Sequence, residues 1–174
     1  SGNQATGTAG SGGGILVVPG STLELSNSSL ENNLATRAGG GIEVNATVTN
    51  TVAITVSGVD LLRNVTGANP GNGGGLHITG PATALVSNSN VLSNTASAEG
   101  GGLWNSAVGT LTVSNTVVSG NVASGNDPDQ GGGGLFNDGG TLTVINSQVR
   151  NNQASGTSGS GGGILNNAGT LIVS

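Results

Sequence analysis

The sequence predicts an all-β chain: a right-handed, single-stranded parallel β-helix (solenoid) of about six coils, forming one domain over residues 1–174. Three observations predict it. Triple glycines run straight into an apolar residue at positions 15, 42, 76, 103, 135 and 164, which are 27, 34, 27, 32 and 29 residues apart. Self-similarity at a period of about 20–50 residues marks a solenoid. Each unit also carries three short apolar patches with strand-like alternation, and asparagines recur at fixed places between them. Right-handed coiling is the expectation for parallel crossovers in general.

The patches follow one another in the same order in each unit. The first holds pairs such as Ile15/Val17, Ile42/Val44 and Leu76/Ile78. The second is the clearest: in Gly109–Asn115 (GTLTVSN), Leu111 and Val113 take one face and Thr110 and Thr112 the other. Its equivalents are Leu23/Leu25, Ile54/Val56, Ala84/Val86, Leu142/Val144 and Leu171/Val173. The third patch recurs as Leu30, Leu61, Val91, Val118 and Val149. One unit cannot bury such a face alone, but stacked units can. Length differences fall in loops: around Ala46–Asn50, and before the glycines at Leu34–Ala38, Val65–Asn72, Thr95–Glu99, Val122–Gly131 and Gln153–Ser160.

Asparagines form three columns. Asn3, Asn33, Asn64, Asn94, Asn121 and Asn152 hold one place after the third patch. Asn27, Asn88, Asn115 and Asn146 hold a second, with Gly58 as the exception, and Asn105, Asn137 and Asn166 hold a third. Asparagine tolerates left-handed turns, and stacked amides can donate to one another along the axis. The first column is therefore expected to be an Asn ladder.

Composition excludes several classes. Thirty-five glycines with one Phe, one Trp and no Tyr cannot fill a globular core with large side chains. The 6% charged content is too low for charge-rich disorder. There is no Cys and no Met, so no disulfide framework is available. A net charge of −5 opposes nucleic-acid binding. No apolar run approaches the roughly 18 residues needed to span a membrane as a helix. Without an initiator Met, the chain reads as a processed or excised piece.

The pattern GGGL-x-N, GTLTVSN, VSGN, six times in register over essentially the whole chain, resembles the polymorphic outer-membrane-protein repeats and related repeats of large secreted bacterial surface proteins. The resemblance implies a pectate-lyase-like β-helix, an extracellular or cell-surface location, and an adhesive or structural role. Three features depart from it: the insertion at Asn45–Asn50, the missing third-column Asn in the first three units, and GVDLLRN in the second unit.

Chemistry finds little to work with. Polysaccharide cleavage on such a fold needs clustered carboxylates and a base. The eight acids (Glu24, Glu31, Glu43, Asp60, Glu99, Asp127, Asp129 and Asp138) share no outward column on adjacent coils, and Arg37, Arg63 and Arg150 are scattered. No catalytic residue, cofactor or metal is expected; Asn126–Asp129 reads as a solvated turn.

Two rows are expected to face outward. Leu16, Glu43, His77, Trp104, Phe136 and Leu165 each follow an inward residue, so period two turns them out, and Glu43 and His77 would be costly inside. This is a candidate interaction ridge of Leu16, His77, Trp104, Phe136 and Leu165, open to sugar rings or another solenoid unless the loops fold over it. The other row is Thr22, Ala53, Thr83, Thr110, Thr141 and Thr170, beside Glu24, Thr55, Leu85, Thr112, Thr143 and Ile172. Such an array resembles ice-binding solenoids, but Glu24, Leu85 and Ile172 break it. Asn27, Asn45 and Asn64 match the Asn-x-Ser/Thr acceptor pattern, with Asn45 the best glycan candidate because the other two sit in Asn columns.

The expected function is that of a structural extracellular subunit, stacking head to tail on copies of itself into a filament or surface fibre. Six coils would advance such a fibre by roughly 29 Å. The alternative is an adhesin or carbohydrate-binding module using the aromatic ridge, with glycans or a cell surface as partner. A polysaccharide lyase or hydrolase and an ice-binding protein are remoter. Ser1–Asn3 matches Ser119–Asn121 and Gly169–Ser174 matches Gly109–Ser114, both inside a coil; self-assembly is the preferred reading of this, and a fragment of a longer tandem chain the competing one.

Overall fold

Twenty-three short strands and no helix make up the fold of this computed structural model, which describes residues 1–68 and 70–174. Among the described residues no helix is long and apolar enough to cross a membrane. Counted from the ladder asparagines, the coils are 3–32, 33–63, 64–93, 94–120, 121–151 and 152–174. Each complete coil contains four strands, and each strand pairs in parallel with its equivalents in the adjacent coils. Four parallel sheets therefore run along the axis, three of six strands and one of five. The fold is the expected parallel β-solenoid of about six turns.

The sheet after the glycines runs from Ile15–Val17 through Ile42–Asn45 and Leu76–Thr79 to Ile164–Asn167. The longest strands build the next sheet, from Thr22–Ser26 to Thr170–Val173. The five-stranded sheet holds Ser29–Glu31, Asp60–Leu62, Asn90–Leu92, Val117–Ser119 and Gln148–Arg150. Sequence reading supplied these three. The fourth sheet occupies residues assigned to loops: two-residue strands at Gln4–Ala5, Leu34–Ala35, Val65–Thr66, Thr95–Ala96, Val122–Ala123 and Gln153–Ala154. Its second residue is small throughout, Ala or Thr, and Ala35, Ala96 and Ala123 are fully buried. A small inward side chain leaves no hydrophobic signal in the sequence.

The triple glycines face that fourth sheet across a narrow interior. At Gly39 the backbone is left-handed, φ +62°. A Cβ on Gly40 would lie 2.6 Å from the Val65 backbone, and one on Gly41 would lie 3.2 Å from the Asn64 amide nitrogen. One glycine thus makes the turn, one admits the opposite wall, and one makes room for the ladder. The core fills the remaining interior with single layers of Ile42, Val44, Ile54, Val56 and Leu61 and their equivalents in neighbouring coils. In the insertion of the second coil, Thr47 and Asn50 exchange backbone bonds of 3.0 Å, so the extra residues form a tight turn.

Candidate functional site

Two axial columns of polar and aromatic side chains hold all that resembles a site. The first is the ladder. Asn3 Nδ2 donates to Asn33 Oδ1 at 2.9 Å, Asn33 to Asn64 at 2.8 Å, Asn64 to Asn94 at 3.0 Å, and Asn94 to Asn121 and Asn121 to Asn152 at 2.9 Å each. The backbone N–H of each donor residue reaches the same oxygen. From the third coil on, the second amide hydrogen goes to a backbone carbonyl, such as Leu61 O for Asn94 at 2.9 Å. Asn33, Asn64, Asn94 and Asn121 are essentially without solvent contact, and bonding of this kind is what makes a buried amide tolerable.

The ladder asparagines do not make the left-handed turn. The preceding residues do: Asn32, Arg63, Ser93 and Asn151 have φ of 50–56°. The second column also serves turns. Asn27, Asn88, Asn115 and Asn146 have φ of 46–49°, and among the described residues their amides make no bonds to one another. The third column is a shorter ladder, Asn105 to Asn137 at 2.8 Å and Asn137 to Asn166 at 2.7 Å. A hydroxyl ladder beside the turn column escaped sequence reading. Val59 N donates to Ser89 Oγ at 3.0 Å, Ser89 N to Thr116 Oγ1 at 3.3 Å, and Thr116 N to Ser147 Oγ at 3.1 Å. Its only sequence signal is Ser or Thr directly after the left-handed residue.

The row after the glycines is the expected ridge, and here the structure corrects the reading. Glu43, His77, Trp104 and Phe136 do pair in register on the outward side of their sheet, away from the apolar core. They are not open to solvent. Glu43 is 0% exposed, His77 4%, Trp104 8% and Phe136 1%. Leu16 is 48% exposed and Leu165 half-buried, so only the outermost members remain accessible. The loops before the glycines fold over the middle of the row and contribute Arg37, Asn72 and Glu99 to it.

Inside this cover Glu43, His77, Glu99 and Trp104 are paired, whereas Asn72 Oδ1 is buried without a partner among the described residues. Glu43 Oε1 accepts from Arg37 at 2.7 Å and from Thr79 Oγ1 at 3.1 Å, while Glu43 Oε2 lies 2.8 Å from His77 Nδ1. A carboxylate only accepts, so His77 Nδ1 carries the proton. Arg37 Nε also donates to Ser11 Oγ at 2.7 Å, tying the first coil to the second. The His77 ring stacks on Trp104 with centroids 4.3 Å apart, and Trp104 lies parallel to Phe136 at 6.1 Å. Trp104 Nε1 donates to Glu99 Oε2 at 2.9 Å, and Asn72 Nδ2 to the same oxygen at 3.1 Å. Burial raises the Glu99 pKa, and Asp138 and Asp129 push it the same way against those two hydrogen bonds.

The described residues enclose no pocket, and no three His, Cys, Asp or Glu among them converge to hold a metal. The arrangement binds coil to coil and loop to coil. Of the glycan acceptors, Asn64 is buried in the ladder, Asn45 is half-buried at a strand end, and Asn27 is exposed on its turn rather than laddered. No family model matches the chain, and neither a curated protein nor a solved structure matches it.

Proposed function

We propose that this chain is a structural β-solenoid, a length of rod that associates end to end with copies of itself in an extracellular or surface fibre. The observation carrying this reading is where the polar side chains are spent. Asn33 through Asn152, Arg37, Glu43, His77, Glu99 and Trp104 all bond along the axis or to a covering loop. The Asn ladder is open-ended, since each of its coils offers its neighbour the same amide donor and acceptor. In the outermost coils, Leu23, Leu25 and Ile15 are half-buried and Leu171, Ile172 and Val173 are 37–64% exposed. A further coil, whichever chain supplied it, would cover them and pair the open strand edges. The finer kinship with polymorphic outer-membrane-type repeats belongs to the same proposal and rests on the repeat motifs.

No separate observation favours the adhesin reading, because the aromatic row assigned to a ligand is covered. The reading assigns no catalysis, no cofactor and no nucleic-acid partner. Sedimentation and electron microscopy of the purified chain over a concentration series test it. Rods that lengthen with concentration are the expected result. A monodisperse 174-residue species at high concentration overturns it.

A further inference from the structure

Every coil turns into its triple glycine on a left-handed residue: Gly12, Gly39, Gly73, Gly100, Gly132 and Gly161 have φ of 59–65°. The residue before that glycine varies, reading Ser11, Ala38, Asn72, Glu99, Gly131 and Ser160. Asn72 is thus followed directly by a glycine, and no other asparagine of the chain is. Asn-Gly is the dipeptide most prone to lose its side-chain amide, because a glycine nitrogen closes on the asparagine Cγ with no Cβ of its own in the way. Asn72 also belongs to the cover over the aromatic row, 7% exposed, with its Nδ2 on Glu99 Oε2. From this juxtaposition we infer that Asn72–Gly73 is a gated deamidation site: the amide is lost only when the covering loop lifts, and the products keep the loop from settling back.

The reaction consumes water alone. The Gly73 peptide nitrogen gives up its proton and bonds to Asn72 Cγ. The bond from Cγ to Nδ2 breaks, and the amide nitrogen leaves as ammonia with that proton. The five-membered imide then takes up one water and opens at either carbonyl, giving aspartate or isoaspartate at position 72. Contacts of the closed loop stand against this path. Gly73 N donates to Glu99 O at 2.9 Å, so the attacking nitrogen keeps its proton and its place. Asn72 Nδ2 is held by Glu99 Oε2 at 3.1 Å. Asn72 O accepts from Gly39 N at 3.1 Å, and Asn72 bridges Ala38 in parallel, which fixes the backbone that would have to rotate. The glycine itself is required, since a Cβ on Gly73 would lie 2.6 Å from His77 Cβ.

The products do not fit the place the amide fills. Glu99 Oε2 accepts from both Trp104 Nε1 and Asn72 Nδ2. Replacing that nitrogen by oxygen sets two acceptors against each other, and neighbouring carboxylates repel. The other oxygen offers no relief, since Asn72 Oδ1 is buried without a partner among the described residues, and a buried unpaired charge is costly. Isoaspartate adds a methylene to the backbone and puts it out of step with Ala38. Glu99 carries the bond to Trp104, so a loop held off at position 72 uncovers the indole. Once the ammonia has gone, an opening that would have reversed becomes permanent.

Peptide mapping by mass spectrometry tests the gate on the full-length chain, held at mildly alkaline pH both folded and in urea. Conversion needs the open loop, so the peptide containing Asn72 is expected to exchange amide for acid roughly ten-fold or more faster in urea than in the fold. Equal rates, or no conversion in either, would overturn the gate. Iodide quenching of Trp104 tests the consequence. Asn72→Asp should raise the quenching roughly two-fold or more, through repulsion beside Glu99. Asn115→Asp, on an exposed turn, should leave it unchanged. Combining Asn72→Asp with Glu99→Gln exchanges acid and amide, restores a donor between the two positions, and should return the quenching to the parent value. Quenching in Asn72→Asp no greater than in the parent, or an exchange with Glu99→Gln that fails to restore the cover, would overturn the hold that the products exert on the loop.

Discussion

Two rows of side chains point out of the solenoid, and they meet different fates. Thr22 to Thr170 and their neighbours Glu24 to Ile172 remain exposed or half-exposed on the longest sheet. Glu43, His77, Trp104 and Phe136 obey the same alternation on the adjoining sheet and are buried. What separates them is the connections alongside. The longest strands are joined to their neighbours by tight turns, such as the one at Gly80. The sheet after the glycines is preceded by loops long enough to fold back across it. Period two fixes which side of a strand a residue takes; whether that side meets water depends on chain elsewhere.

The sharpest way to break this contrast is to truncate one member of each row. Phe136→Ala removes a fully buried ring from under the cover and is expected to cost about 3–5 kcal/mol. Thr110→Ala, on the bare row, should stay within about 0.5 kcal/mol of the parent. Urea denaturation of both variants measures the difference. Equal midpoints would mean that the loops cover the aromatic row without being packed on it.

A pair of glutamates gives the next contrast. Glu43 is buried between Arg37 and His77, whereas Glu24 lies on the exposed face. Glu43→Ala leaves buried donors without an acceptor, and a loss of about 2 kcal/mol is expected. The loss is no larger because Arg37 retains solvent contact and its bond to Ser11. Glu24→Ala should leave the midpoint where it was. If both variants behave alike, the Arg37–Glu43–His77 cluster adds nothing to holding the loop down.

What the sequence made legible follows the same division. The ladder from Asn3 to Asn152 could be read because one residue type recurs at one place in every coil, and its amides bond as expected. The core could be read because Leu111/Val113 and their equivalents alternate with threonine. The fourth sheet could not, because Ala35, Ala96 and Ala123 are too small to mark an inward position. Burial of the aromatic row was equally hidden. Arg37 is six residues from Glu43 and Glu99 five from Trp104, but nothing in either spacing says that a loop turns back. A charged or imidazole side chain is costly inside only when unpaired, and Glu43 and His77 are paired with each other and with Arg37.

Trp104 offers a direct optical measure of the cover. It is the only tryptophan in the chain, so its emission is unambiguous. In dilute, unassembled protein, iodide should quench it far less than it quenches free indole. Phe136→Ala should raise the quenching by opening the stack. Full accessibility in the parent would return the aromatic row to the surface and with it the case for a ligand there.

The smallest effect concerns pH. Glu99 sits on the cover, half-buried, with Trp104 Nε1 and Asn72 Nδ2 on its carboxylate. Burial raises its pKa above the usual carboxylate value. The folded chain therefore holds a proton over a range in which the unfolded chain has lost it. The stabilisation from that proton is complete below the unfolded value and fades as pH rises through the folded one. Going from neutral pH down through that window, the parent should gain stability relative to Glu99→Gln, which keeps the oxygen facing Trp104 but does not titrate. Denaturation midpoints of both proteins at several pH values measure the divergence. It should be modest, because the carboxylate retains solvent contact and two hydrogen bonds that favour its charged form. Nothing on the exposed threonine row should reproduce it, since Thr112→Val there removes no titrating group. Parallel curves for the parent and Glu99→Gln would mean that water reaches Glu99 freely and that the cover over Trp104 is looser than its hydrogen bonds suggest.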